Sequence, residues 1–256
     1  MKGVIIINNE KIRLYGLDMI RGAALCSMLI YHACWDLVWI FNLPWNWYKL
    51  SYGAYLWQQS ICWTFILLSG YCCHFSRNLV RRGLIVFSCG WLITFVTLVF
   101  MPDNRVLFGV LYLIGAAMIL TGLLSRGILN HIPTRLGLIL NFTLFLLTKN
   151  IASGMLFSGS IAIYLPRIFY SNLLTAAFGF PYPGFFSTDY FPFIPWAFLF
   201  LTGYFLYYLK PENPGEYNIK YIAPLLSAMG RRSLLIYLLH QPIIYGVLWL
   251  VFAVIN

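Results

Sequence analysis

Three observations predict an all-α fold, a polytopic bundle of about seven membrane-spanning helices with a further re-entrant or interfacial helix. The 256 residues are 61% hydrophobic and only 9% charged, which is more apolar surface than one soluble core can enclose. Apolar runs of membrane-crossing length recur along the whole chain. The segments between those runs alternate sides, and the basic residues fall mostly on one of them. The formal net charge of +10 therefore reads as membrane topology. A nucleic-acid partner is not expected, because that would need Lys and Arg clustered on a recognisable soluble module.

Seven segments build the bundle, at about 18–41, 52–75, 83–101, 105–125, 135–150, 190–209 and 232–254, the fifth being the shortest. With the N-terminus cytoplasmic, the inside holds Lys2, Lys11, Arg13, Arg21, Arg77, Arg81, Arg82, Arg126, Arg135, Lys210, Lys220, Arg231 and Arg232, thirteen in all. The outside holds four, Lys49, Arg105, Lys149 and Arg167. That bias sets the expected orientation, N-terminus in and C-terminus out. The first ten residues hold one short apolar run and no small-residue cleavage site, so the first span itself is expected to direct insertion. A single integral-membrane domain, 1–256, is expected, with 1–17 as a cytoplasmic N-terminal segment.

Residues 151–188, rich in Gly, Ser, Pro and Phe, are too long for a structureless loop and are read as an external or re-entrant segment. Within them, 168–180 suits an interfacial or re-entrant helix. A full extra span there would carry Lys210, Lys220, Arg231 and Arg232 outside and undo the charge sorting. The Asn141-Phe-Thr143 glycosylation pattern falls inside a span and is read as accidental. Cys26, Cys34, Cys62, Cys72, Cys73 and Cys89 lie in or at the ends of apolar segments without metal-ligand spacing, and are read as small packing residues. No metal is expected from His32, His74, His131 and His240 either.

The first span carries the chemistry. It holds Asp18, Arg21, His32 and Asp36, although burying an ionisable group in hydrocarbon costs about 2.5–3.5 kcal/mol on insertion scales. At 100° per residue Asp36 lies above Asp18, with His32 about 40° and Arg21 about 60° to one side, so one polar stripe runs through the membrane. Asp18 and His32 stand roughly 21 Å apart along the axis. Asp36, at i+4 from His32, can orient an imidazole as a general base requires. The stripe could equally hydrogen-bond neighbouring helices.

The seventh span opens with Gly230-Arg231-Arg232-Ser233 and carries His240-Gln241-Pro242. Pro242 cannot donate to the helix ladder and should kink or loosen the helix. By rise, His240 comes within a turn or two of the depth of His32. Arg231 and Arg232, with Arg77, Arg81 and Arg82 at the inner end of the second span, read either as positive-inside anchors or as guanidinium forks for phosphate. On the external side Asp103, Asn104 and Arg105 form a polar turn. Asp189 stands at the edge of an aromatic run, where it could meet a polar acceptor.

The stretch Arg13-Leu-Tyr-Gly-Leu-Asp18-Met-Ile-Arg21-Gly-Ala-Ala, followed by His32 and Trp35-Asp36-Leu37, resembles the opening of the heparan-α-glucosaminide N-acetyltransferase catalytic-domain family. The ten residues between Arg21 and His32 are also similar to acyltransferase family 3. Further matches follow in the family's order: Phe108-Gly109-Val110-Leu111-Tyr112-Leu113-Ile114-Gly115, Asp189-Tyr190-Phe191-Pro192-Phe193-Ile194-Pro195-Trp196, and Leu234-Leu235-Ile236-Tyr237-Leu238-Leu239-His240-Gln241-Pro242. The chain departs at Tyr112, where the family leads one to expect His.

The resemblance implies a multipass enzyme that takes an acetyl or other acyl group from cytoplasmic acetyl-CoA and passes it to an amine or hydroxyl of a sugar or glycan across the membrane. It implies that His32 is the catalytic histidine. Asp36, Arg21 and Asp18 are expected beside it. Arg77, Arg81, Arg82, Arg231, Arg232, His240 and Gln241 are expected at the coenzyme, and Asp189, Arg105 and Asp103 at the acceptor. His32 either deprotonates the acceptor or carries the acetyl group itself, and the sequence leaves both open. The absence of a large luminal domain points to a compact prokaryotic relative in the cell membrane. The oligomeric state is also open, a homo-oligomer included. The rival class is a small-solute or proton-coupled transporter, whose polar stripe would relay protons or bind solute.

Overall fold

The computed structural model describes residues 4–7, 10–13, 15–125, 127–157, 161–209 and 223–255, with side chains described between 15 and 254. Lys2, Arg126, Lys210 and Lys220 of the charge sorting, and the side chains of Lys11 and Arg13, lie outside the description. The fold is nearly all-α. Among the described residues the α-helices run in order: α1 (Tyr15–Trp39), α2 (Asn46–Leu50), α3 (Tyr52–Tyr71), α4 (Leu79–Phe100), α5 (Val110–Leu124), α6 (Thr134–Thr148), α7 (Leu173–Phe178), α8 (Phe193–Leu206), α9 (Pro224–Arg231) and α10 (Ser233–Ile255). Two small antiparallel hairpins accompany them, β1 (Val4–Ile7) with β2 (Glu10–Arg13) and β3 (Met155–Leu156) with β4 (Ile163–Tyr164).

Each of the seven apolar segments coincides with a helix, α1, α3, α4, α5, α6, α8 and α10. Among the described residues, three stretches are long and apolar enough to cross a membrane: Leu79–Phe100, Thr134–Ser153 and Ser233–Val254. Among the rest, α1 and α3 reach 25 and 20 residues with polar groups interspersed, whereas α5 and α8 are shorter apolar helices of 15 and 14. α5 starts late for a local reason. Residues 105–109 form a turn closed by side chains, with Thr97 Oγ1 accepting from Val106 N and Ser187 Oγ from Leu107 N. The expected helix within 168–180 is six residues long, α7, started by a capping box in which Asn172 Oδ1 accepts from Thr175 N. No full span forms there among the described residues.

The chain packs as two compact units, Met1–Phe65 with Pro211–Asn256, and Ile66–Lys210. In the second, α5 packs along α4 and against α8, and α8 packs along α6. The end of α3 approaches α8 closely, with Gly70 against the Phe200 carbonyl. Asn141 uses its amide within α6, donating to Gly137 O at 2.7 Å. In the first unit α1 is the centre, with α9 and α10 laid along it. Leu25, Met28 and Ile61 form a buried cluster with Tyr31, Trp57, Met229 and Ile236 against it. Two polar contacts fix the neighbours of α1: Trp57 Nε1 donates to Ser27 Oγ at 2.8 Å, and Tyr48 Oη donates to Tyr31 O at 3.0 Å.

α9 was not anticipated. Pro224 starts it, which suits a residue lacking an N–H at the first helical position. It reaches α1 through two glycines, since a methyl group on Gly22 would overlap the Leu226 carbonyl and one on Gly230 would overlap the Asp18 carbonyl. Backbone meets backbone at this crossing, so neither side can yield by rotating a side chain. Gly22→Ala is therefore expected to lower stability by about 1–3 kcal/mol. Thermal unfolding in detergent checks this, and an unchanged midpoint would mean that α9 does not sit against α1.

Candidate functional site

The polar stripe of α1 turns inward. Asp18, Arg21 and Asp36 are 1%, 4% and 0% exposed, while His32 is half-buried. Arg21 Nη1 lies 3.5 Å from Asp18 Oδ1, an ion pair one helical turn apart, beneath the α9 crossing. At the other end His32 and Asp36 stack at i+4 spacing and face α10.

α10 answers with two consecutive residues. The His240 ring stands 4.8 Å from the His32 ring, centroid to centroid, at 64°. Gln241 Nε2 donates to Asp36 Oδ1 at 2.5 Å. Because Asp36 bonds Gln241, the i+4 spacing does not make it the hydrogen-bond partner of His32, which makes no hydrogen bond among the described residues. The helix stays continuous through Pro242. Lacking an N–H, Pro242 leaves the Leu238 carbonyl without its usual partner in the turn that carries His240 and Gln241. His240 Nδ1 donates to the Tyr237 carbonyl, which can only accept. In the neutral ring, Nε2 then holds the lone pair.

Three buried polar atoms at this seam have no hydrogen-bond partner among the described residues: Asp36 Oδ2, His240 Nε2 and Gln241 Oε1. All three accept hydrogen bonds as the ring is tautomerised. Burying such groups unpaired is costly, and they cluster where two imidazoles meet.

The remaining residues are distributed as follows. Arg231 ends α9 and is half-buried, and Arg232, at the break before α10, is exposed. Both stand in the unit that holds His32. Arg77, Arg81 and Arg82 flank the start of α4 in the other unit, where Asn78 caps the helix by accepting from Arg81 N at 2.9 Å. Asp103, Arg105 and Asp189 also belong to that unit. Asp103 is exposed in the turn Pro102–Asn104, and the Arg105 guanidinium lies 5.6 Å from the Phe186 ring. Asp189 Oδ2 accepts from Val110 N at 3.4 Å, placing its carboxylate at the positive end of α5. Among the described residues no group of His, Cys, Asp and Glu could hold a metal ion. All six cysteines are free, with Cys72 and Cys73 buried.

The model of one family, heparan-α-glucosaminide N-acetyltransferase, catalytic, matches residues 13–242. The chain belongs to this family. Membership implies acyltransferase activity in a membrane protein, and the matched region contains α1, α9 and the His240–Pro242 turn of α10. No curated protein and no solved structure matches the chain.

Proposed function

We propose that the protein moves an acetyl or similar acyl group from acetyl-CoA on the cytoplasmic side to an amine or hydroxyl of an extracytoplasmic sugar or glycan. The observation that carries this reading is the meeting of His32 with His240, two imidazoles from α1 and α10, inside the region that the family model covers. Paired imidazoles within an apolar bundle suit proton movement during acyl transfer. His32 stands at the thioester, either removing the acceptor's proton or carrying the acetyl group itself. Arg21 pairs with Asp18 and supports the pantetheine arm or the developing oxyanion.

The coenzyme is polyanionic and cytoplasmic. Its phosphates meet Arg231 and Arg232. The pantetheine arm threads between α1 and α10. Asp189, Arg105 and Asp103 serve the acceptor. The protein lies in a prokaryotic cell membrane with its N-terminus inside and C-terminus outside, as the thirteen inner and four outer basic residues favour.

The test is ligand-induced stabilisation of purified protein in detergent. Acetyl-CoA at several hundred micromolar should raise the unfolding midpoint, and Arg231→Ala should weaken the rise. No rise, together with no release of coenzyme thiol over hours, would reject an acyl-CoA enzyme and leave transport as the reading to pursue.

A further inference from the structure

We propose that His240 Nε2 takes the proton of the acyl acceptor, with Asp36 Oδ2 and Gln241 Oε1 as hydrogen-bond acceptors for its other donors, an assignment that rests on the acyl-transfer reading. The three atoms share one chemistry: each offers a lone pair, each is buried, and no donor among the described residues meets any of them. The group that fits is donor-bearing, an amine or hydroxyl written X–H. His240 is 7% exposed and Asp36 0%, so both are committed to this interior.

The two histidines differ in how they are held. The Tyr237 carbonyl keeps the His240 proton on Nδ1 and presents the Nε2 lone pair. His32 makes no hydrogen bond among the described residues, so neither of its nitrogens is reserved. A fixed lone pair is what a base needs, and an unreserved ring remains available to the thioester. The Gln241–Asp36 hydrogen bond ties α10 to α1 one residue from His240 and holds the seam in register.

The step balances. X–H gives its proton to Nε2 while X forms a bond to the acetyl carbonyl carbon and the C–S bond of acetyl-CoA breaks. The proton then passes from Nε2 to the departing thiolate, leaving acetyl–X and free coenzyme A. Where His32 carries the acetyl group first, the thiolate leaves in that earlier step with the N–H proton that the acylated His32 ring gives up. X then breaks the bond from the acetyl carbon to His32, and the proton that X–H gave to Nε2 passes to the released His32 ring.

The experiment uses the full chain in detergent with acetyl-CoA as donor and glucosamine or water as X–H, read by thiol release. His240→Gln should keep the unfolding midpoint while kcat falls about 10²–10⁴-fold. His240→Ala should regain part of the lost rate when free imidazole is added. If His240→Gln does not fold, His240→Asn takes its place. Wild-type kcat in a folded His240 variant would overturn the assignment alone, as would a loss in His240→Ala that imidazole does not touch. A wild-type protein that neither binds nor consumes acetyl-CoA would overturn the acyl-transfer reading and the assignment together.

Discussion

A His32→Ala protein is expected to fold, to be stabilised by acetyl-CoA, and to transfer acetyl groups about 10²–10⁴-fold more slowly than the wild type. The fold should survive because the ring donates and accepts no hydrogen bond among the described residues. Its recorded neighbours are the Tyr31 ring at 6.0 Å and the His240 ring at 4.8 Å. Truncation therefore leaves no new unpaired polar group behind, the usual source of a large loss. Coenzyme binding should survive because the arginines proposed for its phosphates are elsewhere in the chain. Three readings on one preparation decide the matter: the unfolding midpoint, its shift with acetyl-CoA, and the rate of thiol release. Unimpaired release from a folded His32→Ala protein would remove His32 from the reaction.

Hydropathy placed a helix at each of the seven apolar segments, though among the described residues only three are long and apolar enough to span a membrane, because an apolar run marks a buried helix as readily as a lipid-facing one. The inward face of α1 was also legible, since four ionisable groups on one stripe need partners. What pairs with them was not. Local spacing suggests that Asp36 serves His32, yet its hydrogen-bond partner is Gln241, 205 residues away, and only tertiary packing selects such a pair. α9 escaped notice for a related reason. Eight residues with Ser227, Gly230 and Arg231 give no apolar run, and the helix exists because Gly22 and Gly230 let two backbones touch. Asp189 stood out as a carboxylate at the edge of an apolar run, and the structure supplies a donor for it at the start of α5. The tautomer of His240 was likewise beyond sequence, since the Tyr237 carbonyl sets it.

Arg21→Met is expected to cost about 1–3 kcal/mol of stability, because it removes one partner of a buried ion pair. Asp18 is 1% exposed, sits 3.5 Å from Arg21 Nη1, and lies where the backbone of α9 closes over α1. Solvent cannot replace the guanidinium there. Adding Asp18→Asn to Arg21→Met removes the second charge of the pair, and part of the lost stability should return, since a neutral pair of similar volume avoids the desolvation of both ions. The double variant also separates two roles that the single variant confounds. If Arg21 serves only the fold, transfer should recover along with the unfolding midpoint. If it also steadies the pantetheine arm or the oxyanion, the midpoint should recover while kcat stays low by a factor of 10² or so, the order expected from losing one donor to a developing charge. A double variant no more stable than Arg21→Met would show that the two residues are not energetically coupled, and the reason for burying them would have to be sought in the reaction itself.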